Sequence, residues 1–209
     1  MNLAELAENP VVAGRRIVPG EGQRERPALA LVGEAPGGEE ERLGRPFVGK
    51  AGKNLDGFLA ALELQREAIW ITNVVKVRPT KVSPKGTVSN RPPNREEKAL
   101  FTPLLLEELR EVAPALLVTL GNTALQALLG PEAVIGAYHG RMSPCDALGI
   151  QVFALYHPAS IIYNRALQSV YEEDLRKLRE LLRDSAPAGA GQGLCDRSGA
   201  AARSPLKTP

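Results

Sequence analysis

Cysteine is scarce in this sequence, which has only Cys145 and Cys195 among its 209 residues. Two cysteines placed far apart exclude the disulfide framework that is typical of small secreted domains. We therefore expect a protein of a reducing compartment, and we take the cytoplasm as its location.

Long apolar runs are missing as well. No stretch reaches the roughly 18 apolar residues that a membrane-spanning helix needs. The first ten residues, MNLAELAENP, lack the basic and apolar parts of a secretory signal. Hydrophobic residues still make up 44% of the sequence, enough for one domain with a sizeable core. We predict that domain over residues 1–184, followed by a disordered tail over residues 185–209, where Ala, Gly, Ser and Pro predominate.

Net charge is also small, at +2 at pH 7, and does not by itself indicate a nucleic acid partner. The charge is unevenly distributed, because residues 76–95 contain no acid and six basic residues: Lys76, Arg78, Lys81, Lys85, Arg91 and Arg95. Such a loop can follow a phosphate backbone, or it can be a solvated and partly disordered insertion. The residues alone leave both interpretations open.

Strand-like and helix-like segments alternate along the chain. Short apolar runs predict buried strands at residues 28–33, 69–74, 115–120 and 149–155. Helical patterns predict four helices: residues 50–62, a helix capped by Asn94 and ending at Val112, a helix capped by Asn122 and ending at Leu129, and residues 167–183. This order predicts an α/β fold of three layers, α/β/α, around a mainly parallel four-stranded sheet.

A Gly/Pro-rich loop follows the first predicted strand, within the segment LVGEAPGGEEERLGRPFV at residues 31–48. Its glycines permit positive φ and close approach, so the backbone N–H groups of Glu34 and Ala35 can face a carbonyl or a phosphate. Phe47 is one of only four phenylalanines, lies outside any apolar stripe and can stack on a base. Taken singly, the loop would be an ordinary turn and Phe47 a core residue.

Two other predicted strands end in polar residues. Asn73 and His157 each follow an apolar run, and open α/β sheets bind ligands at the carboxyl ends of their strands. The Asn73 amide offers a donor and an acceptor to a base edge. A neutral His157 imidazole can donate to a developing oxyanion. His139, the other histidine, is interpreted as structural.

In their joint order, these motifs resemble the uracil-DNA glycosylase superfamily, and most closely its iron–sulfur branch, family 4. The resemblance covers residues 28–182. It implies a DNA repair hydrolase that flips uracil out of DNA, breaks the N-glycosidic bond and leaves an abasic site. The backbone amides of Glu34 and Ala35 resemble those that receive uracil, and Phe47 resembles the ring that stacks on it.

The resemblance also implies roles for two strand-end residues and one acid. Asn73 would read the uracil edge and disfavour cytosine, which reverses the donor and acceptor order. His157 would stabilise the uracil anion as the bond breaks. Glu40 matches an acidic position after the Gly/Pro-rich loop, and it is the nearest candidate for activating water. A weakly assisted, largely dissociative reaction is the alternative.

Contacts with uracil-containing DNA follow from the same resemblance. The loop after His157 is similar to one that enters the duplex, with Ser160 as a contact and Ile161 and Ile162 as apolar wedges. Asn90 matches an asparagine of the family's basic loop, and Arg91 beside it is expected to bind DNA. We expect a monomer with no membrane partner.

The main departure from the family concerns its iron–sulfur cluster. Family 4 holds the cluster with four cysteines, one pair near the N-terminus and one pair that brackets the basic loop. Here the bracketing positions are Val77 and Phe101, and residues 1–23 contain no cysteine. We therefore predict no metal and no cofactor, with apolar packing in place of the cluster.

Three other functions remain open. The first is a glycosylase for hypoxanthine or another deaminated base, which the retained Asn73 disfavours. The second is a uracil-DNA binding module without catalysis, which the retained His157 disfavours. The third is a generic nucleotide-binding protein, for which the chain has neither a P-loop lysine nor a G-x-G-x-x-G motif.

Overall fold

The structure, a computed structural model, describes Leu6 and residues 8–184, without the side chains of residues 161–163. The predicted disordered tail, residues 185–209, therefore lies outside the described residues. The strands are Glu21–Gly22 (β1), Leu29–Gly33 (β2), Trp70–Asn73 (β3), Thr80–Val82 (β4), Val88–Asn90 (β5), Leu116–Leu120 (β6), Met142–Cys145 (β7) and Ile150–Leu155 (β8). The α-helices with defined bounds are Gly38–Leu43 (α1), Lys50–Ala61 (α2), Arg95–Val112 (α3), Asn122–Leu129 (α4), Ile135–Tyr138 (α5), Pro158–Tyr163 (α6) and Gln168–Asp184 (α7).

The central sheet has six strands in the order β1-β3-β2-β6-β8-β7. Its four inner strands are parallel, which confirms the four predicted strands and the mainly parallel sheet. The predicted number of strands is too low, because β1 and β7 add antiparallel edges. β1 has two residues and β7 contains Pro144, and short or proline-containing edge strands leave little periodic pattern in a sequence.

Helices cover both faces of this sheet, as the three-layer prediction requires. In β2, Ala30 and Val32 belong to the apolar cluster that includes α3 and α4. Leu29 and Leu31 belong to the cluster that includes α2 and α7. Because successive strand residues point to opposite faces, a strand buried on both sides is apolar throughout. No helix in the described part of the chain is long and apolar enough to cross a membrane.

The two predicted helix caps have different outcomes. Asn94 Oδ1 accepts the Glu97 N–H at 2.8 Å, and the Glu97 carboxylate accepts the Asn94 N–H at 2.8 Å, which makes a reciprocal capping box. The predicted Asn122 cap is wrong, because Gly121 is the N-cap of α4. Asn122 Oδ1 instead accepts the Ile135 N–H at 2.8 Å and thereby ties α4 to α5.

Residues within the basic loop form a hairpin that the sequence analysis did not predict. β4 and β5 pair antiparallel in a separate two-stranded sheet. In the connecting turn, the Gly86 N–H donates to the Ser83 carbonyl at 2.9 Å. The sequence contains an indication of this turn, since Ser83-Pro84-Lys85-Gly86 has proline and glycine at the positions a type I turn favours. The loop is thus a structured arm rather than a partly disordered insertion.

Candidate active site

A cavity of about 930 Å³ opens where the carboxyl ends of the parallel strands meet. The chain passes through its wall directly after β2, β6 and β8, and at Asn73 at the end of β3. This is the edge at which parallel sheets place their ligands. The cavity brings together most of the predicted site residues: Glu34, Ala35, Glu40, Phe47, Asn73, Asn90, Arg91, His157 and Ser160.

Phe47 and Asn73 lie side by side because Gly33 between them has no side chain. A Cβ atom at Gly33 would lie 2.3 Å from Phe47 Cζ and 2.4 Å from Asn73 Oδ1. The Phe47 backbone has a φ of 52°, a conformation that is unfavourable for a non-glycine residue and therefore depends on its surroundings. Its ring faces the His157 ring, with centroids 6.3 Å apart and planes inclined by 27°. Ring, amide and imidazole thus share one wall of the cavity.

Lys76 is buried beneath Asn73 and fixes its backbone. Its ammonium donates to the Asn73 carbonyl at 2.7 Å, the Thr72 hydroxyl at 2.6 Å and the Glu108 carboxylate at 2.5 Å. Burial lowers the pKa of Lys76, and the Glu108 carboxylate opposes that shift. Within the described residues, the Asn73 side-chain amide forms no hydrogen bond, so its donor and acceptor are available to a ligand. Sequence analysis did not assign Lys76 this supporting role.

The imidazole of His157 is held in one orientation. His157 is the N-cap of α6, and its Nδ1 accepts the Ala159 N–H at 3.1 Å. In a neutral ring, the proton must then reside on Nε2. Burial lowers the pKa of His157, and the Glu34 carboxylate opposes that shift. The cavity wall therefore carries a neutral imidazole with an Nε2–H donor.

Backbone donors come from the loop after β2. Within the described residues, the N–H groups of Glu34 and Ala35 donate to no backbone carbonyl, which leaves them available to a ligand oxygen. The Glu34 carboxylate accepts the Thr123 hydroxyl of α4 at 2.5 Å. Thr123 was not predicted, and no motif in the sequence marks it. It connects the loop after β2 to the first turn of α4.

Glu40 organises the backbone around the cavity. Its carboxylate accepts the N–H groups of Gly37 at 3.1 Å, Val48 at 3.1 Å and Gly49 at 2.7 Å, and the residue is 8% exposed. These bonds link the Gly/Pro-rich loop to the segment that carries Phe47. A carboxylate with both oxygens engaged in this way holds two loops together.

Asn90 and Arg91 lie at the rim of the cavity, at the end of the hairpin. Asn90 Oδ1 accepts from Arg78 Nε at 2.7 Å, and Arg78 also bonds Glu41 at 3.2 Å. Arg91 donates two hydrogen bonds to the buried Glu97 carboxylate, at 2.7 and 2.8 Å. Arg91 is thus engaged in an internal ion pair, and its contact with DNA stays a prediction.

The segment after His157 forms the short helix α6. Ser160 lines the cavity, and its N–H donates to the His157 carbonyl at 2.8 Å. The backbone of Ile161 and Ile162 belongs to α6, whereas their side chains lie outside the described part of the structure. Their role as apolar wedges therefore stays a prediction.

His139 supports the cavity wall from behind. Its Nδ1 lies 2.7 Å from Asp174 Oδ2 of α7, and its ring packs on Tyr156 with centroids 4.9 Å apart. Tyr156 lines the cavity beside His157, a position that sequence analysis did not assign. In the sequence, this role of Tyr156 is indicated by its position directly before His157. These contacts agree with a structural interpretation of His139.

The residues at the expected cluster positions do not fit an iron–sulfur cluster. Val77 and Phe101 are fully buried in the same apolar cluster. Cluster ligation requires thiolates, four in the family 4 pattern, and this sequence has two cysteines. Of these, Cys145 is buried, its thiol donates to the Leu128 carbonyl at 3.3 Å, and burial raises its pKa. Within the described residues, no group of three or more His, Cys, Asp or Glu side chains could hold a metal ion.

Comparison with known proteins places this fold and cavity in a family. The family model of the uracil DNA glycosylase superfamily matches residues 19–183. A type-4 uracil-DNA glycosylase of Archaeoglobus fulgidus is 37% identical over 170 residues, which cover 78% of this chain and 81% of that protein. A type-4 enzyme of Saccharolobus solfataricus is 36% identical over 175 residues, which cover 80% of this chain and 77% of that protein.

Among solved structures, the crystal structure of wild-type SMUG2 from Pedobacter heparinus is similar in fold. Superposition of the two chains gives a TM-score of 0.55 at 17% sequence identity, and the match covers 77% of each chain. At that identity, the likeness concerns the fold alone. The family model and the type-4 relatives show the family: the chain belongs to the uracil-DNA glycosylase superfamily and is similar to its family 4 members.

Proposed function

We propose that this protein is a monofunctional uracil-DNA glycosylase, which hydrolyses the N-glycosidic bond of uracil in DNA and leaves an abasic site. The observation that carries the proposal is the convergence of Phe47, Asn73 and His157 on one cavity, next to available backbone donors. The type-4 relatives support it, because they match most of this chain. One chain supplies all these groups, so we propose a monomer. We propose the cytoplasm as its location, because two distant cysteines do not make a disulfide framework.

Uracil recognition is assigned to the wall formed by Phe47 and Asn73. The flipped base stacks on the Phe47 ring, a contact worth about 1–3 kcal/mol. The Asn73 amide accepts from uracil N3–H and donates to O4. Cytosine offers the reverse order at these atoms, so it would leave the buried amide with unpaired groups. Selection against cytosine therefore depends on the orientation in which the Asn73 amide meets the base.

Bond cleavage is assigned mainly to electrostatic stabilisation of the departing uracil anion. The uracil O2 accepts hydrogen bonds from the backbone N–H groups of Glu34 and Ala35 and from the Nε2–H of His157. The imidazole donor is oriented before the substrate binds, because its Nδ1 accepts the Ala159 N–H. The sugar then passes through an oxocarbenium-like state, and water adds after or during departure of the base.

The contacts of Glu40 favour a positioning role over the water-activating role expected from the sequence. Three backbone N–H groups already bind its carboxylate. We propose that it holds the loop that carries Phe47 and that the reaction is weakly assisted and largely dissociative. Asn90, Arg91, Ser160, Ile161 and Ile162 are proposed to contact the DNA around the flipped nucleotide.

Excision at uracil is the direct test of this function. End-labelled oligonucleotides with one uracil, one hypoxanthine or only normal bases are incubated with the protein and then cleaved with alkali. We expect cutting at uracil alone. Asn73→Asp should cut about ten- to a hundredfold more slowly, since a carboxylate has no donor for uracil O4. Equal cutting at hypoxanthine would instead show an altered base preference, and uracil-DNA binding without cutting would show a catalytically silent module.

We also propose that the protein works without an iron–sulfur cluster. Val77 and Phe101 fill the positions at which the family's second cysteine pair is expected, and both are fully buried among apolar side chains. Protein purified without oxygen is therefore expected to contain no stoichiometric iron or sulfide, and a chelator should leave uracil excision unchanged. Stoichiometric iron and sulfide, lost together with activity, would contradict this proposal.

A further inference from the structure

The β4–β5 hairpin is an exposed arm beside the cavity. Its strands pair in the register Thr80 with Asn90, Lys81 with Ser89, and Val82 with Val88. All residues from 81 to 88 are exposed. From Asn90 to the turn, the arm extends about 10 Å at the usual rise per strand residue. None of residues 81–88 lines the cavity, so the arm leaves the cavity rim at Asn90 and lies outside it.

One face of this arm carries a pair of exposed valines on the same side as a residue that lines the cavity. Side chains alternate between the faces of a strand, so Val82, Val88 and Asn90 share a face. Asn90 lines the cavity, which places the valine pair on the same side. Val82 is 67% exposed and Val88 is 52% exposed. Single exposed apolar residues are ordinary, but this cross-strand pair gains nothing from the fold and faces the substrate side.

The rest of the arm is basic. Lys81 lies on the opposite face and Lys85 lies in the turn, and no acidic residue occurs between residues 76 and 95. The arm therefore combines exposed valines on one face with positive charge at its turn and on its other face, a combination that matches DNA, where apolar deoxyribose surfaces lie between phosphates. Phosphates along one strand follow each other every 3.4 Å or so of helix rise, so an arm of about 10 Å spans about three base pairs.

The base of the arm is fixed by partly buried hydrogen bonds. Arg91 Nε donates to the Thr80 carbonyl at 3.0 Å, while its terminal N–H groups bind Glu97. Arg15 adds a bond to Glu97 at 2.6 Å. Burial alone would raise the pKa of Glu97, but the Arg91 and Arg15 guanidinium groups outweigh it and hold the pKa at about 2. An arm anchored in this way meets its partner in one orientation, which lowers the entropic cost of binding.

We propose that the β4–β5 hairpin is a docking arm for the DNA that flanks the flipped nucleotide. Val82 and Val88 pack on deoxyribose surfaces, and Lys81 and Lys85 pair with phosphates. The arm supplies affinity for DNA and does not touch the reacting base. This inference rests on the proposed function only in that the cavity holds a nucleotide of the same DNA.

The experiment compares two double variants of the arm, Val82→Ser/Val88→Ser and Lys81→Gln/Lys85→Gln. Affinity is measured for uracil-free duplex DNA of about 20 base pairs across a series of salt concentrations, and excision is measured on a long uracil oligonucleotide and on a uracil trinucleotide. We expect the serine variant to bind the duplex about five- to twentyfold more weakly. The glutamine variant should lower the slope of log affinity against log salt by about two. The rate at saturation and the cutting of the trinucleotide should stay at the wild-type level.

Control variants carry single changes of the same kind at the far edge of the sheet and on α7. Met142→Ser removes an exposed apolar side chain from β7, and Lys177→Gln removes one exposed charge from α7. Neither should change duplex affinity. Unchanged duplex affinity and salt slope in both arm variants would overturn the proposal, as would an equal loss on the trinucleotide. Because the duplex contains no uracil, failure of the proposed excision activity would leave this comparison intact.

Discussion

Replacement of His157 by alanine is expected to lower the single-turnover rate of uracil release by about 10²–10³, the usual effect of losing one donor to a developing anion. The imidazole is the side-chain donor whose orientation the fold fixes, through the bond from the Ala159 N–H to Nδ1. Alanine removes the Nε2–H donor and leaves the backbone donors of Glu34 and Ala35 in place. Uracil-DNA binding should therefore fall far less than the rate.

His139→Ala provides the control, since it removes the other histidine of the chain. His139 pairs with Asp174 and packs on Tyr156, so its loss should lower the temperature of unfolding. The rate at a temperature where the variant is folded should change only a few-fold. A loss below tenfold in His157→Ala, or an equal loss in both variants, would refute the role given to His157.

The pH dependence of the wild-type rate should reflect the protonation of His157. Burial lowers the pKa of His157 below its ordinary value of 6.5. The neutral ring, with Nδ1 free to accept from Ala159, therefore predominates down to pH 6.5. We expect the single-turnover rate to fall with a midpoint below pH 6.5, because protonation breaks the Ala159 bond that orients the ring. A midpoint at or above 6.5 that is absent from His157→Ala would contradict this assignment.

Gly33→Ala is expected to have the second large effect, a loss of about 10² or more in excision together with about 1–3 kcal/mol of stability from overpacking. The new methyl group would overlap both the Phe47 ring and the Asn73 amide, at 2.3 and 2.4 Å. Phe47 has little freedom to move away, because α2 packs closely against its backbone. A Cβ atom at Gly52 of α2 would lie 2.3 Å from the Phe47 carbonyl carbon. Stacking of the base on Phe47 and recognition of its edge by Asn73 should therefore be lost together.

The matched control is Gly57→Ala in α2, where an added Cβ meets no atom within 4 Å. That change should leave excision unaltered and raise the free energy of unfolding by about 0.5–1 kcal/mol, because alanine favours a helix more than glycine does. Excision and chemical denaturation are measured on both variants. A Gly33→Ala protein with wild-type excision would show that neither Phe47 nor Asn73 needs its present position.

The four inner strands and the longest helices could be predicted because their patterns are local. β2 is apolar throughout since both of its faces are buried, and α3 begins at a capping box that four consecutive residues specify. The edge strands could not be predicted, because β1 has only two residues and pairs with a strand far along the chain. The hairpin was missed for a different reason: its exposed residues give no burial pattern, and only its turn residues indicate it.

By itself, the sequence determined the layers of the fold and indicated candidate residues for recognising and releasing a base, because strand ends and residue chemistry are local properties. Only the tertiary structure decided which contacts those residues make. It showed that Glu40 holds loops through three backbone N–H groups and that Arg91 is engaged by Glu97. It also placed the proton of a neutral His157 on Nε2. Hydrogen-bond partners far apart in the chain set these roles, and no local pattern encodes such contacts.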